Sequence, residues 1–185
     1  MLKKINNLII YILRYFSIIE FNNYKVSNNI NFGSHDANNF FIKSIKNSKL
    51  FLEYGSGNST LYAKKLKKKF LSIETDKSFY NFMRNKNIKN ILYSNIGPTK
   101  YYSHPILPIF LLKKLIINYG NKIETFFNKF NDIPDLILID GRFRVFVTLK
   151  VIKFCLSKNQ KLNTVIIIDD FKSRKDYHVL KKILK

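Results

Sequence analysis

Two acids each close a short apolar run, and the residues around them can do chemistry. The run Phe51-Leu52-Glu53 leads into Tyr54-Gly55-Ser56-Gly57, then Asn58-Ser59-Thr60 and a helix-forming segment. A second run, from Phe70, ends in Glu74. Strand, glycine turn and helix let a backbone approach a nucleotide-like ligand closely. Gly55 and Gly57 remove side chains from that approach, and Ser59 and Thr60 suit the helix N-terminus. A carboxylate ending the second strand of such a unit accepts hydrogen bonds from ribose hydroxyls, and Glu74 stands there. Further on, an apolar run from Leu136 closes in Asp140, and one from Val165 closes in Asp169 and Asp170. Three carboxylates at adjacent strand ends can hold a divalent cation through oxygen ligands. Without a metal, Asp140 or Asp169 can serve as general base on a substrate hydroxyl, with His178 as the other candidate. Each has a plainer reading. Asp140 can be a buried structural acid paired with Arg142 or Arg144, and a lone histidine such as His178 is often just surface.

These residues need a frame that brings strand ends together. From Leu50 onward, short apolar runs alternate with longer segments of helical period, which predicts repeated βα units and an open, mostly parallel sheet flanked by helices. The strands fall at Leu50–Tyr54, Phe70–Glu74, Ile91–Ser94, Leu136–Asp140 and Val165–Asp169. Helices are expected at Ser59–Lys68, Lys77–Lys86, Leu107–Asn118, Arg144–Leu156 and Arg174–Leu184, with Asp76 suited to cap the second. Ser34 caps an earlier helix reaching about Lys46. Residues 95–108 carry Gly97, Pro98, Pro105 and Pro108 and read as a long loop over the ligand edge.

The glycine motif lacks the third glycine of a dinucleotide fingerprint, having Thr60 after Asn58-Ser59. Glu-x-Gly-x-Gly-x-Ser-Thr instead resembles the first motif of class I S-adenosylmethionine-dependent methyltransferases. FLEYGSGNST, SIETD, NIGPT, DLILIDGRFRV and VIIIDDF together look like a little-characterised bacterial branch of that superfamily, over roughly residues 31–179. The resemblance implies a Rossmann-like fold, S-adenosylmethionine as cofactor, and methyl transfer to a small-molecule or glycan acceptor, most simply at a hydroxyl. It places Glu53, Gly55, Gly57 and Ser59 under the methionine portion, with Glu53 either pairing with the ammonium group or merely fixing the turn. It places Glu74 on the ribose, Asn95 near the adenine and Asp140 facing the crevice. Asp140, Asp169 and Asp170 sit similarly to the ligands of metal-dependent catechol-type O-methyltransferases. Asp169-Asp170 replaces their Asp-Asn, which counts against a metal. The rival classes are a degenerate cofactor-binding or interaction domain, and a basic module for nucleic acid or membrane surfaces.

Composition narrows these classes. The 185 residues suit one domain, and 46% hydrophobic content makes it globular. The single cysteine, Cys155, excludes an internal disulfide and reads as a packed small hydrophobe. The formal charge of +21 would attract phosphate. The joint abundance of Lys, Asn, Ile, Phe and Tyr, with no Trp, is however what an AT-rich coding sequence yields, and it argues against nucleic acid as the substrate. Lysine clusters such as Lys64, Lys65 and Lys67–Lys69 read as solvated helix faces.

Residues 1–30 form the N-terminal part, an amphipathic helix and an Asn-rich connector, ahead of the methyltransferase-like domain at 31–185. The apolar run Leu8–Ile19, broken by Arg14, is too short and charged to span a membrane. It lacks a signal-peptide cleavage site. It lies either on the domain or peripherally on a membrane surface, and the expected location is cytoplasmic. The class I fold usually adds a C-terminal strand hairpin that this chain lacks. Either the chain is truncated or a partner supplies that edge, and the β-branched strand from Val165 invites homodimerisation.

Overall fold

A computed structural model of the chain describes residues 2–16, 18, 24–100, 103–158 and 163–183, the side chains of 2–6 excepted. Its centre is a five-stranded, wholly parallel sheet with helices on both faces. The strands are β1 (Leu50–Tyr54), β2 (Lys69–Glu74), β3 (Ile91–Tyr93), β4 (Leu136–Ile139) and β5 (Val165–Ile168), in the order β3-β2-β1-β4-β5. Because both faces are covered, β1 is buried along its whole length, as parallel strands are. Alternate side chains serve two cores. Leu52, Tyr54, Ile137 and Ile139 pack on one face with Val147, Val151 and Cys155. Phe51, Leu136 and Leu138 pack on the other with Phe41, Ile45, Ala63 and Met83.

The strand order reverses between β1 and β4, which makes their carboxyl ends the switch point where open α/β sheets bind ligands. The backbone ladder continues one residue past the strands. Gly55 N–H donates to Ile73 O (2.8 Å), Asp140 N–H to Tyr54 O (2.9 Å), and Asp169 N–H to Ile139 O (3.2 Å). The glycine turn, Glu74, Asp140 and Asp169 therefore share one sheet edge.

The connecting helices follow local rules. Helix α1 spans Leu2–Tyr15, and α2 (His35–Asn47) starts at Ser34, whose Oγ accepts from Ala37 N–H. Helix α3 (Asn58–Lys65) is capped by Gly57, and α4 (Lys77–Asn85) by Asp76, which accepts from Phe79 N–H at 3.0 Å. Helix α5 (Ile109–Gly120) begins immediately after Pro108, where a missing N–H costs nothing. A further helix, α6 (Lys122–Phe130), follows at Asn121, beyond the helices expected from the pattern. Helix α7 (Arg144–Ser157) links β4 and β5. The expected helix Arg174–Leu184 is instead a 3-10 helix at Lys175–Lys182, and Leu184 lies outside the described residues.

Helix α1 docks on the domain by one end. Arg14 is buried and ion-pairs with buried Asp76 at 2.9 Å, and Tyr15 Oη accepts from Asn95 Nδ2 at 2.8 Å. Leu8, Ile9, Ile12 and Phe16 remain exposed. Glu20 and the start of the connector, Asn22 and Asn23, lie outside the described residues. Among the described residues no helix is long and apolar enough to cross a membrane.

Candidate functional site

The two glycines of the turn do different work. Gly55 sits at φ +99°, and a Cβ there would come within 2.6 Å of Gly141 N and 2.9 Å of the Asp140 carbonyl carbon. Its missing side chain lets β1 and β4 converge at the switch point. Gly57 is extended, and a Cβ there would meet nothing within 4 Å. It borders a cavity of about 760 Å³, within the ~300–1,000 Å³ range of small-molecule sites. So Gly57 is the glycine whose side chain would intrude on a ligand.

Beneath the turn lies Glu53, fully buried. Its carboxylate accepts from Ser59 Oγ, from Thr60 Oγ1 at 2.5 Å and from Ser72 Oγ at 2.6 Å. Thr60 Oγ1 in turn accepts from Gly57 N–H at 2.9 Å, so the acid fixes the turn through a hydroxyl relay. Burial pushes the Glu53 carboxyl up, and the three hydroxyls oppose that rise. Glu53 and Ser59 are not on the cavity wall.

Glu74 is on the wall. Its Oε1 accepts from Thr75 and Asp76 N–H (2.7 and 2.8 Å), and its Oε2 accepts from Ser56 N–H at 3.1 Å. The second strand and the glycine turn are thereby tied at the point predicted for the ribose. Burial pushes the Glu74 carboxyl up to about 7, with the Asp76 N–H opposing.

The carboxylates of β4 and β5 do come together, but around a guanidinium. Arg144, buried at the start of α7, contacts Asp140 Oδ1 at 2.8 Å and both Asp169 Oδ2 and Asp170 Oδ2 at 3.3 Å. It also donates to the backbone carbonyls of Asp140, Gly141 and Asp169. Among the described residues no group of three or more His, Cys, Asp or Glu side chains is arranged to hold a metal ion. At Asp140, Asp169 and Asp170, where a metal was the expectation, the positive charge among the carboxylates is that of Arg144. Of the two arginines open as partners of Asp140, Arg144 is the one in place. Burial pushes Asp140 up, the Arg144 guanidinium opposes this, and Asp169 beside it adds to the rise. Asp140 lines the cavity with its side chain 38% exposed.

Two expected site residues are turned to other partners. His178 places Nε2 3.1 Å from Phe171 O with its ring against Phe171, away from the cavity wall. Asn95 donates to Tyr15 and accepts from Gly97 N–H at 2.7 Å, also off the wall. The cavity is completed by Tyr24, Lys25 and Val26 of the connector, Phe79 of α4, Ser103, and Arg142. Ser103 comes from the loop expected over the ligand edge and Arg142 stands beside Asp140, whereas nothing in the pattern of the connector or of α4 marks Tyr24, Lys25, Val26 or Phe79.

The fold has a counterpart among solved structures. A methyltransferase-like protein from Silicibacter pomeroyi superposes with a TM-score of 0.66 at 23% identity, over 84% of this chain and 81% of that one. No protein-family model matches the sequence, and neither does any curated protein. The chain is thus an α/β protein of Rossmann-like architecture whose fold is similar to that of a methyltransferase-like protein.

Proposed function

We propose that this chain binds S-adenosylmethionine at the switch-point cavity and transfers its methyl group to the hydroxyl of a small-molecule or glycan acceptor. One observation carries the reading: an open glycine, Gly57, and a wall carboxylate, Glu74, face one cavity at the reversal of a parallel sheet. Likeness of fold to a methyltransferase-like protein supports it as analogy. Ser56, Gly57 and Glu74 would hold the cofactor, Glu74 by accepting from the ribose hydroxyls. The bound cofactor supplies an electrophilic methyl on a sulfonium. The chain's contribution is alignment of the acceptor with that methyl. Asp140, on the wall with a raised carboxyl, is the group suited to take the acceptor's proton. Asp169 is less suited, because it is not on the cavity wall.

The Asp140–Arg144 ion pair favours one second reading, a cofactor-binding domain without turnover, because a paired carboxylate is a poorer base. Calorimetry with S-adenosylmethionine and S-adenosylhomocysteine tests the binding they share. Heat from neither ligand would remove both. Binding, followed by methyl transfer to a hydroxylated acceptor that Asp140→Asn abolishes, selects the enzyme.

A further inference from the structure

Arg142 is the second cation at the Asp140 strand end, and unlike Arg144 it has no acid. It lies on the cavity wall, partly buried. The nearby carboxylates are committed elsewhere: Asp140 and Asp169 to Arg144, and Asp170 to Arg144 and, at 3.9 Å, to Arg174. Among the described residues Arg142 makes no hydrogen bond or ion pair. Most of the described lysines are exposed, where a free charge costs little. A guanidinium taken partly out of water without a partner is a different case, since it has lost hydration and gained no acceptor. Further positive charge surrounds it. The charges of Arg142, Arg174 and Lys100 all bear on His104, which follows the wall residue Ser103, and Lys25 lines the same cavity.

We infer that Arg142, with Arg174 and His104 beside it, is an anion subsite of the cavity, and that the acceptor carries a phosphate or carboxylate group. The planar fork of arginine matches two oxygens of either group at once. Entry of the oxyanion supplies the acceptor that Arg142 lacks. Arg142 lies two positions after Asp140, so the anion would hold the acceptor's other end to the residue suited to take its proton. Only the naming of the acceptor as the anion's bearer rests on the methyl-transfer reading; the subsite itself does not.

Partial desolvation and positive neighbours hold the exposed His104 imidazole below its ordinary value and give a local reporter. An anion bound among those cations favours imidazolium and moves the His104 titration upward. Inorganic phosphate and acetate are titrated separately into the full chain, followed by calorimetry and by the His104 ring signal in NMR. The subsite predicts saturable binding with an upward shift of the His104 midpoint. It also predicts at least ~tenfold weaker binding in Arg142→Gln, a smaller loss in Arg174→Gln, and none in Lys153→Gln, which removes one charge from the exposed face of α7. Tighter phosphate assigns a phosphoryl group, and tighter acetate a carboxylate. No saturable binding of either anion overturns the inference. So does an Arg142→Gln protein that binds like the parent, or a Lys153→Gln protein that loses as much, since that would be the general field of a +21 chain. S-adenosylhomocysteine is titrated into the same proteins. Its failure on the parent would defeat the cofactor reading while leaving Arg142-dependent phosphate binding standing, so the two failures are distinguishable.

Discussion

At the scale of residues, Glu74 makes the sharpest quantitative prediction. Its carboxyl is raised from 4.5 to about 7, so between those values the folded chain holds a proton that the unfolded chain has lost. Its contribution to stability, at most roughly 3 kcal/mol, is complete below the unfolded value and is lost as pH rises through about 7. In thermal melts the parent should gain stability as pH falls from about 7 toward 4.5, and Glu74→Gln, which cannot titrate, should lack that gain. A difference independent of pH would remove Glu74 as the titrating group. A ligand that donates hydroxyls to the ionised carboxylate should bind more tightly as pH rises across 7, and Glu74→Gln should flatten that dependence. The acids and the glycine turn were legible because each ends an apolar run, which is what the sheet edge requires. Their partners were not. Arg144 gathers three carboxylates from two strand ends, and a sequence shows the acids without showing which cation will stand among them.

At the scale of elements, the five strands and most helices were readable from period and punctuation, with strand ends within one residue and helix ends within three. Two things escaped. Helix α6 follows α5 with only Asn121 between, and Gly120-Asn121 is too weak a stop to reveal a second helix there. Yet α6 delivers Ile123 and Phe126 to the core. The contact that docks α1 was the other, because the buried pair Arg14–Asp76 joins residues 62 positions apart in the chain. Local pattern cannot encode such a distant choice. Removing one partner leaves a buried charge uncompensated, so Arg14→Ala should destabilise the chain by about 3–5 kcal/mol. It should also open residues up to Phe16 to limited proteolysis. Parent-like denaturant midpoint and cleavage pattern would mean that α1 is held by something else.

At the scale of the whole molecule, β5 has β4 on one side and no strand on the other among the described residues. Val165 is exposed and Ile166 to Ile168 are only partly covered, an edge that invites another chain. Light scattering after size exclusion should show self-association of the parent and a monomer from Val165→Lys. A second exposed apolar run, Ile109 to Leu111, offers a rival surface; if Phe110→Ser alone yields the monomer, β5 is not the interface. The central claim also belongs to this scale, since only the assembled sheet brings the turn, Glu74 and Asp140 to one cavity. Because a Cβ at Gly57 meets nothing within 4 Å, Gly57→Val should fold like the parent and fill only the ligand's approach. Calorimetric titration of S-adenosylhomocysteine into both proteins, checked by circular dichroism, is therefore the most direct test. A cofactor seated at the switch point would bind the parent saturably, one to one, and a folded Gly57→Val protein not at all; no binding to the parent, or equal binding to both, would contradict that placement.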